Sequence, residues 1–248
     1  MIPARALRPR ESVRLVASAG DLAREGAELV LALAGSALEA RGAFHLALAG
    51  GSTPRGLYRE LARRADASTL AGAHAWFGDE RCVPPEHADS NYRMVSESGI
   101  LACFHARQVH RMRGETPDPA AEAARYEREL CAELGPIPRL DLVLLGLGPD
   151  GHTLSLFPGT PALEARSWVT VSRAPRPPVE RLSLTLATLE QARALVFLVS
   201  GSDKAPALAA ALDDSVTPAP PARRARPLDG TLLWIVASEG LVGRQAGP

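Results

Sequence analysis

The segment Gly146-Leu147-Gly148-Pro149-Asp150-Gly151-His152-Thr153 holds the pair of side chains with the clearest chemical use. A histidine beside an acid can take a proton from water near neutral pH, and the carboxylate can fix the tautomer of its imidazole. A single histidine is more often satisfied by backbone hydrogen bonds, so His152 gains weight only through its neighbours. The same segment satisfies G-x-G-x-x-G over 146–151, between an apolar run and an expected helix, and so raises a dinucleotide-binding reading. Three features oppose it. Asp150 would set a negative charge against a pyrophosphate, no ribose-binding acid ends the next expected strand at 167–172, and the motif lies past mid-chain.

Three other clusters could contribute. Gly50-Gly51-Ser52-Thr53-Pro54 follows an apolar run and leads into a helix; Ser52 or Thr53 could cap that helix, and Pro54 suits its first position. Free N–H groups and the helix dipole at such an end favour a phosphate, although an ordinary tight turn would look the same. Asp79, Glu80 and Arg81 follow another apolar run, and Asp89, Ser90 and Asn91 open the next helix, where capping alone explains Asp89 or Ser90. Lys204, in Gly201-Ser202-Asp203-Lys204, is the one lysine among 28 basic residues, the other 27 being arginine. In so arginine-rich a chain, a retained lysine hints at a need for an ammonium.

The elements that must position these residues alternate. Strands are expected at 13–17, 44–49, 73–77, 140–147, 167–172, 181–186, 195–200 and 231–237, and helices at 21–41, 54–64, 90–100, 120–134 and 202–212. This order predicts an α/β fold, a mostly parallel Rossmann-like sheet with helices on both faces and room for a small extra lobe, in one domain over 1–248. Ligands in such sheets lie beyond the carboxyl ends of the strands, where the clusters above fall. Arg181 is expected instead at the start of a strand. The Pro- and Arg-rich stretch 216–227 is expected to be a surface loop.

Composition narrows the function. Hydrophobic residues make up 46% and charged residues 23%, and 28 basic side chains balance 28 acidic ones. Zero net charge argues against nucleic acid or anionic membrane as partner, while leaving room for a small anion in a local positive pocket. Cys82, Cys103 and Cys131 outline neither a disulfide framework nor a metal site. The first residues lack a signal peptide's apolar core, and the longest apolar runs are too short to span a bilayer, so a soluble, cytoplasmic protein is expected. No G-x-S-x-G elbow, G-x-x-x-x-G-K-[ST] loop or H-E-x-x-H pair is present.

GGSTP at 50–54, GDERCVPPEHADSNYRM at 78–94 and GLGPDGHTLSLFPG at 146–159, with PPVERLSLTL at 177–186 and SGSDKA at 200–205, together resemble the 6-phosphogluconolactonase family. The resemblance covers most of the chain in order. It implies a fold shared with glucosamine-6-phosphate deaminases and hydrolysis of 6-phosphogluconolactone in the oxidative pentose phosphate pathway. It departs near the C-terminus, where 217–227 replaces a P-A-S-type segment and Ala237-Ser238 stand where an aspartate is usual. The implied roles are His152 as general base, oriented by Asp150, and Arg81 stabilising the oxyanion. Gly50, Gly51, Ser52 and Thr53 would hold the phosphate with Lys204 and either Arg55 or Arg181. Asp79, Glu80 or Asn91 would bind sugar hydroxyls, and Gly151 belongs to the binding set. No cofactor or metal is called for, and a monomer or small homo-oligomer is expected. The competing readings are a sugar-phosphate deaminase or isomerase, a nucleotide-binding oxidoreductase and a non-catalytic sugar-phosphate regulator.

Overall fold

The computed structural model describes residues 10–66 and 68–240; the leader reading at the N-terminus falls mostly outside them. In chain order the strands are β1 (Glu11–Val16), β2 (Phe44–Leu48), β3 (Ala73–Phe77), β4 (Asp79–Arg81), β5 (Val109–His110), β6 (Leu142–Gly146), β7 (Val169–Arg173), β8 (Glu180–Leu184), β9 (Ala194–Val199) and β10 (Thr231–Ala237). The helices are α1 (Ala19–Arg41), α2 (Ser52–Arg64), α3 (Asn91–Glu97), α4 (Pro119–Leu134), α5 (Leu186–Gln191), α6 (Ala205–Leu212) and α7 (Pro221–Arg224).

Among the described residues seven strands form a parallel sheet in the order β1-β10-β9-β6-β2-β3-β5. Its strands read as continuous apolar runs because both faces are covered. Alternate residues of β6 divide accordingly: Val143 and Leu145 join one core with α4 and α6, while Leu142 and Leu144 join the other with α1 and α2. The expected parallel sheet with helices on both faces is what the chain forms. From β2 the order runs outward through β3 and β5, and from β6 through β9, β10 and β1. The crevice beyond β2 and β6 is thus the place where such a sheet receives a ligand.

The extra element is a three-stranded antiparallel sheet, β4-β8-β7. Asp79–Arg81, for which no strand of its own is expected from the sequence, is its first strand and pairs with β8. Two further expectations need correction. No helix follows 146–151: residues 147–160 are turns and irregular chain with one isolated bridge, Thr153 to Leu156. Gly151 (φ 81°) and Leu154 (φ 51°) lie in the left-handed region, and Pro149 and Pro158 interrupt any ladder, so the helix that a dinucleotide fingerprint needs cannot start here. The stretch 216–227 is not a free surface loop. It contains α7, with Pro221, Ala222 and Ala225 buried, and Arg223 donates to the carbonyls of Asp213 and Val216 (2.5 Å for the latter). No helix of the described residues is long and apolar enough to cross a membrane.

Candidate active site

The carboxyl ends of β2, β6 and β9 surround a cavity of about 190 Å³. One wall is the start of α2. Here the expected side-chain cap is absent: Gly51, at φ 102°, occupies the N-cap position, and Ser52 and Thr53 are already helical. Pro54 is third in the helix and has no N–H to satisfy, which leaves the amides of Gly51, Ser52 and Thr53 as the orphan donors of this end. Gly50 must be glycine because a Cβ would stand 2.1 Å from Oδ1 of Asn91.

The second wall is the loop after β6. Nδ1 of His152 lies 2.5 Å from Oδ1 of Asp150, which also accepts the His152 backbone N–H at 3.2 Å. A carboxylate only accepts, so Nδ1 carries a hydrogen, and in a neutral imidazole the lone pair then falls on Nε2. Burial raises the Asp150 pKa, but the hydrogen bond and charge of His152 outweigh it and leave the group below its usual value. The loop is drawn tight by Gly148 N–H donating to the His152 carbonyl (2.8 Å), and a Cβ on Gly148 would strike the imidazole at 2.0 Å. On its far side Ala222 N–H donates to the Gly151 carbonyl (3.0 Å), and Pro220 lies where a Gly151 Cβ would point, 2.7 Å away. The C-terminal stretch thus braces the histidine loop.

Asp79, Arg81 and Lys204 complete the lining with Leu147, Leu154 and Leu198. Asp79 is buried and fixed by Asn91 Nδ2 (3.1 Å to Oδ1) and Ser155 Oγ (2.6 Å to Oδ2). Arg81 donates to the carbonyl of Asp89 but keeps its Nε buried and unpaired. Lys204 lies 2.9 Å from Asp203, which is itself largely exposed.

A family model described as glucosamine-6-phosphate isomerases/6-phosphogluconolactonase matches residues 17–234. The chain belongs to this family. A Synechocystis protein named 6-phosphogluconolactonase is 40% identical over 207 residues, which is 81% of this chain and 84% of that one. A Nostoc protein of the same name is 35% identical over 234 residues, 92% of this chain and 95% of its own. The solved 6-phosphogluconolactonase from Trypanosoma cruzi superposes with a TM-score of 0.84 at 28% identity, over 96% of this chain and 97% of its own.

Within this glucosamine-6-phosphate isomerase/6-phosphogluconolactonase fold, Gly50, Gly51, Ser52, Thr53, Asp79, Arg81, His152 and Lys204 line one cavity. Asp150, Gly151 and Asn91 stand directly behind it. Arg55 is exposed on α2, where its charge acts on Glu97 of α3. Glu80 is buried, and its carboxylate accepts the backbone N–H groups of Arg81, Asn91 and Tyr92 and the hydroxyl of Ser90. It anchors the start of α3, where Ser90 is the side-chain cap, and has no oxygen turned to the cavity lining. Arg181 lies behind Arg81 in β8. Ser155, the hydroxyl that holds Asp79, was not singled out from the sequence; no spacing rule links it to a carboxylate on another sheet.

Proposed function

We propose that this protein hydrolyses 6-phospho-D-glucono-1,5-lactone to 6-phospho-D-gluconate. The observation that carries the reading is a histidine with a free Nε2, tethered to a carboxylate, in the same cavity as an uncapped helix end and two cations. The amides of Gly51, Ser52 and Thr53, with Lys204 and Arg81, receive the phosphate. Arg81 is assigned here rather than to the oxyanion because a dianion calls for both of the cations that line the cavity. Asp79, immobilised by Asn91 and Ser155, accepts a hydrogen bond from a ring hydroxyl. Nε2 of His152 takes a proton from water as the oxygen attacks C1, and Asp150 stabilises the imidazolium that forms. The tetrahedral intermediate collapses with cleavage of the C1–ring oxygen bond, and His152 returns the proton to that oxygen. Arg55 and Glu80, placed away from the cavity, have no part in this scheme.

The test is hydrolysis of freshly generated lactone, corrected for spontaneous opening. A rate proportional to protein and reduced about 1,000-fold in a folded His152→Ala variant is expected from the usual contribution of general-base catalysis. No rate above background would overturn the reading in favour of the deaminase branch of the family, read by ammonia release from glucosamine 6-phosphate. Normal turnover in the variant would remove His152 as the base.

A further inference from the structure

Thr153-Leu154-Ser155-Leu156 closes a tight turn in which the Leu156 N–H donates to the Thr153 carbonyl at 3.0 Å. Leu154 has φ 51°, whereas Ser155 is not among the residues of positive φ. A left-handed first central residue followed by an ordinary one is the pattern of a type II′ turn. Glycine suits that first position because it lacks a Cβ, and a leucine is disfavoured there. A side chain in such backbone persists only where its surroundings hold it.

The surroundings of Leu154 are the two sheets and the cavity. It is buried and joins the apolar cluster that includes Leu182 and Leu184 of β8. A Cβ on Gly78, the residue between β3 and β4, would stand 2.7 Å from its Cδ2, so the leucine packs directly on that backbone. Gly78 is itself fixed, donating its N–H to the Leu48 carbonyl (2.9 Å) and accepting from the Leu184 N–H (2.8 Å). Leu154 also lines the cavity, together with His152 and Asp79. His152 lies two residues before it, and Ser155 directly after it holds Asp79 Oδ2 at 2.6 Å. One branched side chain thus stands where the histidine loop meets the strand of Asp79. Packing on Gly78 needs no strained backbone of its own; a strained leucine that also faces the cavity points to a use for its volume there.

We infer that Leu154 is the specificity-determining residue at C2 of the sugar ring, leaving room for a hydroxyl and excluding an acylamino group. With C1 at Nε2 of His152 and the C6 phosphate at the start of α2, C2 is the ring carbon next to the reacting centre. The wall that joins His152 to Asp79 is Leu154, so the C2 substituent meets it. The turn hydrogen bond and the contact with Gly78 keep the side chain from swinging aside for a larger group. The inference rests on the reading that the cavity takes a sugar phosphate, but not on hydrolysis itself.

The experiment compares Leu154→Ala, Leu154→Gly and Leu154→Met with the unaltered chain. Affinities for glucose 6-phosphate and N-acetylglucosamine 6-phosphate, stable pyranoses that differ only at C2, are read from thermal shift, and lactone hydrolysis is followed in parallel. The unaltered chain is expected to bind the N-acetyl sugar about tenfold or more weakly than glucose 6-phosphate. Both small variants should narrow that ratio by about tenfold through a gain in N-acetyl binding, while Leu154→Met, of similar volume, keeps it. A leucine that served only to pack on Gly78 would, when shortened, weaken both sugars alike. Equal binding of the two sugars by the unaltered chain, or an unchanged ratio in folded Leu154→Ala, would overturn the inference. Should Leu154→Ala not fold, Leu154→Gly, relieved of the left-handed strain, gives the same reading. If the unaltered chain opens no lactone yet the ratio narrows in the small variants, the limit at C2 stands and the hydrolytic reading alone falls. If it opens the lactone and the ratio does not move, the inference alone falls.

Discussion

His45, His74 and His110 lie within β2, β3 and β5, whereas His152 lies beyond the end of β6, and the two settings leave the same side chain with opposite freedom. In the strands the rings form a stack: His45 on His74 at 4.5 Å, His74 beside His110 at 5.2 Å and His110 on Trp76 at 3.8 Å. Trp76 Nε1 donates to His45 Nδ1 (3.2 Å), His74 Nδ1 meets His110 Nε2 (2.9 Å), and His110 Nδ1 meets Glu129 (2.7 Å). Burial first, and then the neighbouring His74, push the His45 pKa down to about 4, against the pull of Asp141. His74 is lowered by burial and by His110, against Glu133. Beyond β6, by contrast, one nitrogen of His152 is anchored to Asp150 and the other is left free beside the cavity. A histidine serves proton transfer when one nitrogen is fixed and the other unspent; in the strands both nitrogens of His110 are spent on its neighbours.

The sharpest way to break the comparison is to remove a ring from the stack. His110→Ala deletes a ring packed on Trp76 and the contacts with His74 and Glu129, so a loss of about 3 kcal/mol is expected, as for other buried rings. Denaturant unfolding measures it, and kcat of the folded variant should stay near that of the unaltered chain. A His110→Ala protein of undiminished stability but poor turnover would place the stack in the chemistry after all.

Acid gives the next largest effect. His45 and His74 have folded pKa values below the ordinary 6.5. Above that pH both are neutral folded or unfolded, and their contribution to stability is complete. As pH falls from 6.5 towards 4, the unfolded chain takes up protons that the stack refuses, and stability declines. For His45 alone the linkage is on the order of 3 kcal/mol. Carboxylates held low, such as Asp66 and Asp150, add their losses only below about pH 5. Urea midpoints should therefore fall between pH 6.5 and 5, and His45→Gln should flatten that limb. A flat midpoint in the unaltered chain would show that the stack takes up protons freely.

The parallel sheet was legible because buried strands write continuous apolar runs, and strand ends then pointed to Gly50, Lys204 and His152. What local sequence did not carry is pairing at a distance. Asp79, Glu80 and Arg81 have no strand pattern and are ordered by β8, far along the chain. The opposition of Arg81, Arg181 and Ser172 across β4, β8 and β7 exists only once two registers are set. Ser52 and Thr53 were expected to cap α2, but Gly51 takes that position. The stretch 216–227 has loop composition, yet its prolines and alanines fit against the histidine loop, a contact that composition does not encode.

That brace offers the finest test of how position makes His152 useful. Gly151→Ala forces a Cβ into left-handed backbone, at a cost of roughly 1–2 kcal/mol, and against Pro220. A fall in kcat of about tenfold with little change in KM is expected if His152 is the base as proposed, since the damage displaces it and leaves the proposed phosphate donors in place. Pro220→Gly alone should do less. Combined with Gly151→Ala it should recover part of the loss, because the collision is relieved while the backbone strain stays. Recovery in the double variant means that the two segments act on His152 through their contact, a coupling absent if the losses simply add. Simple addition would assign the whole effect to the left-handed turn, and the C-terminal brace would then be a matter of stability rather than of catalysis.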